Sequence, residues 1–245
     1  MNSIIICEGS TDSILLQYFL RKAYGWEDTK ERIPLSNKFK TFRKLKKEEK
    51  TLCIGGSGGV SQIKDKFDNI LELNSFAANG EEYDKIIILT DRDEVDTEAD
   101  FCAEISRILA ERNVYAGQTI KNDEWVHCKM KNGQGKEISV DLLLLVIPFE
   151  QTGAMETFLL DAIAKADDYE NDIIKQGNAF VDSVDPDKRY LSKRRYITKA
   201  KFDVYFSVRT AAEQFVERQN QLKSVPWEKD LLIQDSFRKF ADPLE

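Results

Sequence analysis

The sequence predicts an α/β fold: a mostly parallel sheet flanked by helices, with a helical extension at the C-terminal end. Three observations carry that reading. The runs Ile4–Ile6, Ile86–Leu89 and Leu142–Ile147 are apolar without interruption, as strands buried on both faces are. Helix-periodic stretches lie between the early strands, and such alternation argues for parallel βαβ units. The remainder, residues 165–245, is charged and helical in pattern.

Ser3–Cys7 reads as the first strand. Glu8-Gly9 then turns the chain into a helix begun by Ser10, Thr11 or Asp12, all residues that favour helix starts. Ile14, Leu15, Tyr18 and Phe19 keep its period, and Gly25 ends it. Asp12 is either a first-turn acid favoured by the helix dipole or a carboxylate standing behind Glu8. Residues 26–50 are polar and basic, with a break at Pro34, and read as a loop plus a short basic helix. Thr51–Ile54 is a short buried strand. GGSGG (55–59) opens a helix over 60–73, with Ile63, Phe67, Ile70 and Leu71 on one side. These glycines are either a tight turn or a close approach of backbone N–H groups to a phosphate. No Gly-Lys-Ser/Thr follows and no GxGxxG occurs, so neither a Walker A loop nor a dinucleotide fingerprint is supported.

Residues 74–84 form a surface loop. The next strand runs from Ile86 into three acids, Asp91, Asp93 and Asp96, and a helix over 97–112 follows with Phe101, Ile105, Ile108 and Leu109 as its buried stripe. Residues 114–120 read as a strand. Residues 124–130 and 137–147 flank KNGQG, a hairpin signal. The last buried run stops at Pro148, and a helix carrying Glu156 in its first turns follows. A break at 182–188 divides the remainder, whose end is docked by Trp227, Phe237, Phe240 and Leu244. The expected organisation is a core over 1–120, additional strands and a helix over 121–164 that complete the site, and an extension over 165–245 packed on the core.

Composition excludes several classes. No apolar run approaches the roughly 20 residues that span a membrane. The N-terminal MNSIIICEGS has neither a basic region nor a long apolar stretch, so no signal peptide is expected and cytoplasmic residence is the default. The four cysteines (7, 53, 102, 128) have no CxxC spacing and read as reduced core residues. A single histidine, His127, rules out a histidine-based zinc site or a triad on other residues; it is structural or superficial. The net charge of −7 argues mildly against non-specific nucleic-acid binding. Yet Lys38–Lys50 holds seven basic residues against two Glu, and Lys188–Lys201 holds seven and no acid. That separation suits a cationic groove beside an acidic site, or two solvated faces.

The acids carry the chemistry. Asp91 and Asp93 are spaced i, i+2 at a strand end and can point the same way. Converging carboxylates repel unless a cation lies between them, and oxygen-only ligands suit Mg²⁺ or Mn²⁺. The alternative is an acidic turn that caps the next helix. Glu8 ends a second apolar run. CEGSTD (7–12), GGSGG (55–59) and TDRDE (90–94), in that order and each after an apolar run, resemble the Toprim domain across about the first half of the chain.

The resemblance implies a Toprim-like (Rossmann-like) core and divalent-metal-dependent phosphodiester chemistry, most simply a nuclease or nickase of DNA. Asp91 and Asp93 would hold Mg²⁺ (or Mn²⁺), and Glu8 would bind metal or act as general acid/base. Nucleases of the overcoming-lysogenization-defect family place further acids for a second metal; Glu156 is the candidate here, with Glu150 behind it, or Glu156 is a first-turn acid favoured by the dipole. Lys201, with Lys199 near it, is a candidate to stabilise charge on a phosphate, or a lysine extending along an amphipathic element. Lys193, Arg194, Arg195, Lys46 and Lys47 would hold the nucleic-acid backbone. Family members also join ATPase partners in phage defence, so an ATPase partner, and a homodimer, are further expectations. The alternative class is a non-catalytic nucleic-acid- or protein-binding regulatory module on the same fold; a receiver-like domain is a third.

Overall fold

The computed structural model describes residues 1–31, 36–78, 80–211, 225, 227–228 and 230–244. Its centre is an eight-stranded sheet. The strands are β1 (Asn2–Cys7), β2 (Glu27–Asp28), β3 (Thr41–Lys47), β4 (Lys50–Gly56), β5 (Lys85–Asp91), β6 (Tyr115–Ala116), β7 (Trp125–Lys131) and β8 (Glu137–Ile147), in the order β2-β3-β4-β1-β5-β8-β7-β6. The helices are α1 (Ser10–Tyr24), α2 (Val60–Phe76), α3 (Thr97–Glu111), α4 (Met155–Ala166), α5 (Asp168–Val184), α6 (Arg194–Arg209) and α7 (Leu231–Phe237).

The fold is therefore α/β, but its sheet is mixed rather than mostly parallel. Only the central strands β4, β1, β5 and β8 run parallel. The outer pairings, β2–β3, β3–β4, β8–β7 and β7–β6, are antiparallel. For β3–β4 and β7–β8 the reason is connection length, because short turns can join only antiparallel neighbours. The expected basic helix within 26–50 is one such strand. β3 pairs with β4 through a two-residue turn at Glu48 and Glu49, where Glu48 has φ 52°. That turn lacks the Asn-Gly or Asp-Gly that announces a hairpin, and the lysine-rich strand shows no apolar alternation. β2 covers β3 only at Leu45 and Lys46, and lysines along the strand oppose pairing with other chains. Pro34 lies outside the described residues. Of the strand expected over 114–120, only Tyr115–Ala116 forms.

The uninterrupted apolar runs have the expected cause. Ile5, Cys7, Ile87 and Leu89 face α1, α4, α6 and α7, while Ile4, Ile6, Ile86 and Ile88 face α2 and α3. Period-2 alternation thus feeds two cores, one on each sheet face. Trp227, Phe237, Phe240 and Leu244 are buried in the first. Phe237 stacks within 5.4 Å of Phe19, Phe158, Trp227 and Phe240, tying the C-terminal segment to α1 and α4. Among the described residues no helix is long and apolar enough to cross a membrane.

The site is placed by chain direction. From β1 the chain goes by way of α1 to β4 on one side, then returns by way of α2 to β5 on the other. In open α/β sheets this reversal leaves a crevice at the carboxyl ends of the strands where the order switches. Here those ends belong to β1 and β5, and they deliver Glu8 and Asp91.

Candidate functional site

Glu8 is the first residue after β1, and Asp91 is the last of β5. The register Cys7↔Leu89 sets Glu8 level with Thr90. The Thr90 hydroxyl donates to Glu8 Oε2 at 3.2 Å, and the Asp91 N–H donates to the same carboxylate. The backbone beneath Glu8 is held as firmly: its carbonyl accepts from the N–H groups of Gly58 (2.9 Å) and Gly59 (3.0 Å). Two donors of the glycine-rich turn are thereby spent on protein, while the turn also lines the cavity described below. Gly58 (φ 96°) and Gly59 (φ 136°) take conformations that other residues rarely adopt. At Gly56 a Cβ would lie 2.7 Å from the Gly9 carbonyl oxygen, so strand β4 needs glycine to pass the Glu8-Gly9 turn.

Two further carboxylates join them. Asp12 is both things the sequence allowed. It accepts from the Gly9 N–H at 2.7 Å, closing the start of α1, and its side chain is buried beside the other acids. Glu156, in the first turn of α4, is only 4% exposed. α4 is brought there by Asp91, whose Oδ1 accepts from the Met155 N–H at 3.0 Å. Arg92 locks the same junction, donating to the carbonyls of Pro148 (2.7 Å) and Phe149 (2.9 Å).

The electrostatics follow from this crowding. Burial, then Glu156 and Glu8, pushes the Asp12 carboxyl up to about 7 against the relief given by Gly9 and Lys199. Burial, then Asp12, Glu8 and Glu156, holds Asp91 well above the ordinary carboxylate range. Burial, then Asp93, raises Glu8.

All four acids, with Asp93, line one cavity of about 680 Å³. α6 forms its opposite wall with Arg194, Arg195, Thr198 and Lys199. Asp93 is more exposed than the rest and pairs with Arg194 at 2.5 Å. Lys40 completes the basic side.

The expected residues therefore divide. Glu8, Asp91, Asp93, Glu156, Arg194 and Arg195 meet at the cavity. Lys193 caps α6, with its ammonium 5.9 Å from the Tyr196 ring centre. Lys201 does not face the acids; it pairs with Asp182 of α5 at 2.9 Å. Lys199 takes that place, because Arg195 and Lys199 share a helix face at i, i+4, whereas Lys201 lies on another. Lys46 and Lys47 are also displaced. β3 runs antiparallel to β4, so these lysines lie at the opposite edge of the sheet, about 20 Å along the strand from Thr41. Glu150 lines a separate cavity with Phe158 and Asp161. His127 is superficial and pairs with Asp141 at 2.8 Å. Cys7, Cys53 and Cys128 are buried and free.

In kind, the donors suit a hard divalent cation: they are carboxylates only and mutually repelling. In position, no three His, Cys, Asp or Glu side chains among the described residues stand close enough to hold a metal ion.

Residues 2–238 match the family described as "Protein of unknown function (DUF3226)", and the chain belongs to that family. No curated protein matches it. The chain is similar in fold to a hypothetical protein, PH0156, from Pyrococcus horikoshii OT3, with TM-score 0.50 and 16% identity over 98% of this chain and 99% of that one. A glyoxalase family protein from Bacillus anthracis gives TM-score 0.21 at 10% identity, over 58% of this chain and 93% of that one. Hypothetical protein SA1046 from S. aureus gives 0.19 at 13%, over 59% and 92%. These last two likenesses are too slight to inform the fold.

Proposed function

We propose that this DUF3226 member is a divalent-metal-dependent nuclease with a Toprim-type active site. One observation carries the reading. Glu8, Asp91 and Glu156, delivered by three separate segments, face a single cavity whose other wall is the basic face of α6. Support also comes from the order of the motifs: CEG, GGSGG and TDRD follow the neighbouring parallel strands β1, β4 and β5.

On this reading Asp91, Asp93, Glu8 and Glu156 would hold Mg²⁺ or Mn²⁺ after their side chains draw together, since no three metal donors stand close enough as placed among the described residues. When bound, the cation would supply an activated water and would screen charge on the phosphate. The chain's own residues do the rest. Arg195 and Lys199 meet phosphate oxygens from the α6 side, where preorganised cations favour the more highly charged transition state. Arg194 exchanges Asp93 for phosphate. Thr90 and the Asp91 N–H fix the Glu8 carboxylate, whose pKa burial and then Asp93 raise. DNA as the substrate, an ATPase partner and a homodimer belong to the same proposal through the Toprim resemblance alone.

The test is cleavage of supercoiled plasmid and single-stranded DNA with Mg²⁺ or Mn²⁺. Wild type should nick, Asp91→Ala/Asp93→Ala should be inactive while folded, and Lys199→Ala should lose about a hundredfold where Lys201→Ala does not. Equal cleavage by the double variant would reject the site. A second reading, a non-catalytic nucleic-acid- or protein-binding module, is favoured by the absence of three close metal donors among the described residues and by the Arg194–Asp93 pair. Metal-independent binding with no cleavage by any variant would select it.

A further inference from the structure

The chain beside the cavity-lining Arg194 and Arg195 carries a feature that phosphate chemistry does not use. The segment leading into α6 and the first turn of that helix present two tyrosines to solvent, Tyr190 (70% exposed) and Tyr196 (38%). Each ring lies against cations. The Arg189 guanidinium is 5.3 Å from the centre of the Tyr190 ring, and that of Arg195 is 5.1 Å from the Tyr196 ring, with the Lys193 ammonium at 5.9 Å. Arg195 and its neighbour Arg194 line the acidic cavity themselves.

The tyrosines are not exposed because the segment lacks structure. The Asp185 carboxylate accepts from three successive backbone N–H groups, Arg189 (3.0 Å), Tyr190 (2.8 Å) and Leu191 (2.7 Å). One side chain thus fixes the backbone of the turn that carries Tyr190. Exposed aromatic rings forgo burial that would stabilise the fold. Flat rings interleaved with Lys and Arg are the combination that binds single-stranded nucleic acid, since bases stack on the rings while cations follow the phosphates.

Cavity size points the same way. About 680 Å³ lies between the strand ends and α6. That is the size of a small-molecule site. It accommodates a nucleotide unit of one strand.

We propose that the substrate is a single strand, or a strand end separated from its partner, with bases stacked on Tyr190 and Tyr196 and the backbone led past Arg194 and Arg195 to the acids. The inference rests on the nuclease reading for its direction but not for its test.

The test is fluorescence anisotropy in EDTA, where no metal-dependent cleavage occurs. The probes are a labelled oligothymidylate of about 12 nucleotides, its RNA counterpart and a hairpin duplex of the same strand length. Wild type should bind the single strands at least about tenfold more tightly than the duplex. Tyr190→Ala and Tyr196→Ala should each weaken that binding by roughly tenfold, and Tyr196→Phe, which keeps the ring, should not. Both side chains are exposed, so the alanine variants should stay folded. Equal affinity for duplex, no binding, or silent alanine substitutions would overturn the proposal. Cleavage restricted to duplex DNA would keep the nuclease and remove the platform; single-strand binding that needs the tyrosines, with no cleavage, would keep the platform and remove the nuclease.

Discussion

Asp91 does two jobs with one carboxylate. It pins the first turn of α4 through the Met155 N–H, and it shares a buried space with Glu8, Asp12 and Glu156. The repulsion in that space has a sign that can be measured. The folded-state pKa of Asp12, about 7, lies above the usual value near 4, and Asp91 and Glu8 are raised as well. The folded chain therefore holds protons that the unfolded chain releases. Stability is greatest below about pH 4 in this contribution and is lost as pH rises toward 7, by on the order of a few kcal/mol. Urea denaturation in EDTA should show that fall, and Asp12→Asn, which keeps an acceptor for the Gly9 N–H, should flatten it. A profile unchanged by the substitution would contradict the account. That Glu8, Asp91 and Asp93 meet at one sheet edge was legible because acids at the ends of apolar runs are placed by strand geometry. Lys199 was not, because choosing it over Lys201 needs the phase of α6 against the sheet, which depends on how Phe202, Tyr205 and Phe206 seat in the core.

At the scale of elements, the Glu8-Gly9 turn is built from three pieces that must pass close to one another. β4 passes beneath it at Gly56, the turn at Gly58 and Gly59 donates to the Glu8 carbonyl, and Asp12 closes the start of α1. A Cβ at position 56 would stand 2.4 Å from Thr41 Oγ1 and 2.7 Å from the Gly9 carbonyl oxygen. Gly56→Ala should therefore cost about 1–3 kcal/mol in chemical denaturation and should weaken the site more than its stability loss explains. A neutral substitution would show that the turn has slack. The central strands and the helices α1 to α4 could be read from apolar runs and helical periods. β3 could not, because a strand that buries only Leu45 is not obliged to alternate, and its turn at Glu48-Glu49 lacks glycine. Pairing is set instead by β4, which needs a partner along its free edge.

Over the whole molecule, the C-terminal segment is part of the structure that makes the site. α6 supplies the basic wall, and its buried Phe202, Tyr205 and Phe206 join the same core as β1, α1 and α4. α7 seals that core through Phe237, fully buried among four aromatic rings. Phe237→Ala should cost about 3–5 kcal/mol, and the loss should appear in one transition followed by both Trp fluorescence and far-ultraviolet circular dichroism. Separate transitions would show that the extension folds apart from the sheet. The central claim, that strand-end acids meet to hold a divalent cation, is tested most directly by Mn²⁺ titration followed by electron paramagnetic resonance. The account predicts saturable binding to wild type, weakened at least about tenfold in Asp91→Ala and tightened in Arg194→Met, where Asp93 is released. No saturable Mn²⁺ binding, or binding that Asp91→Ala leaves unchanged, would contradict it.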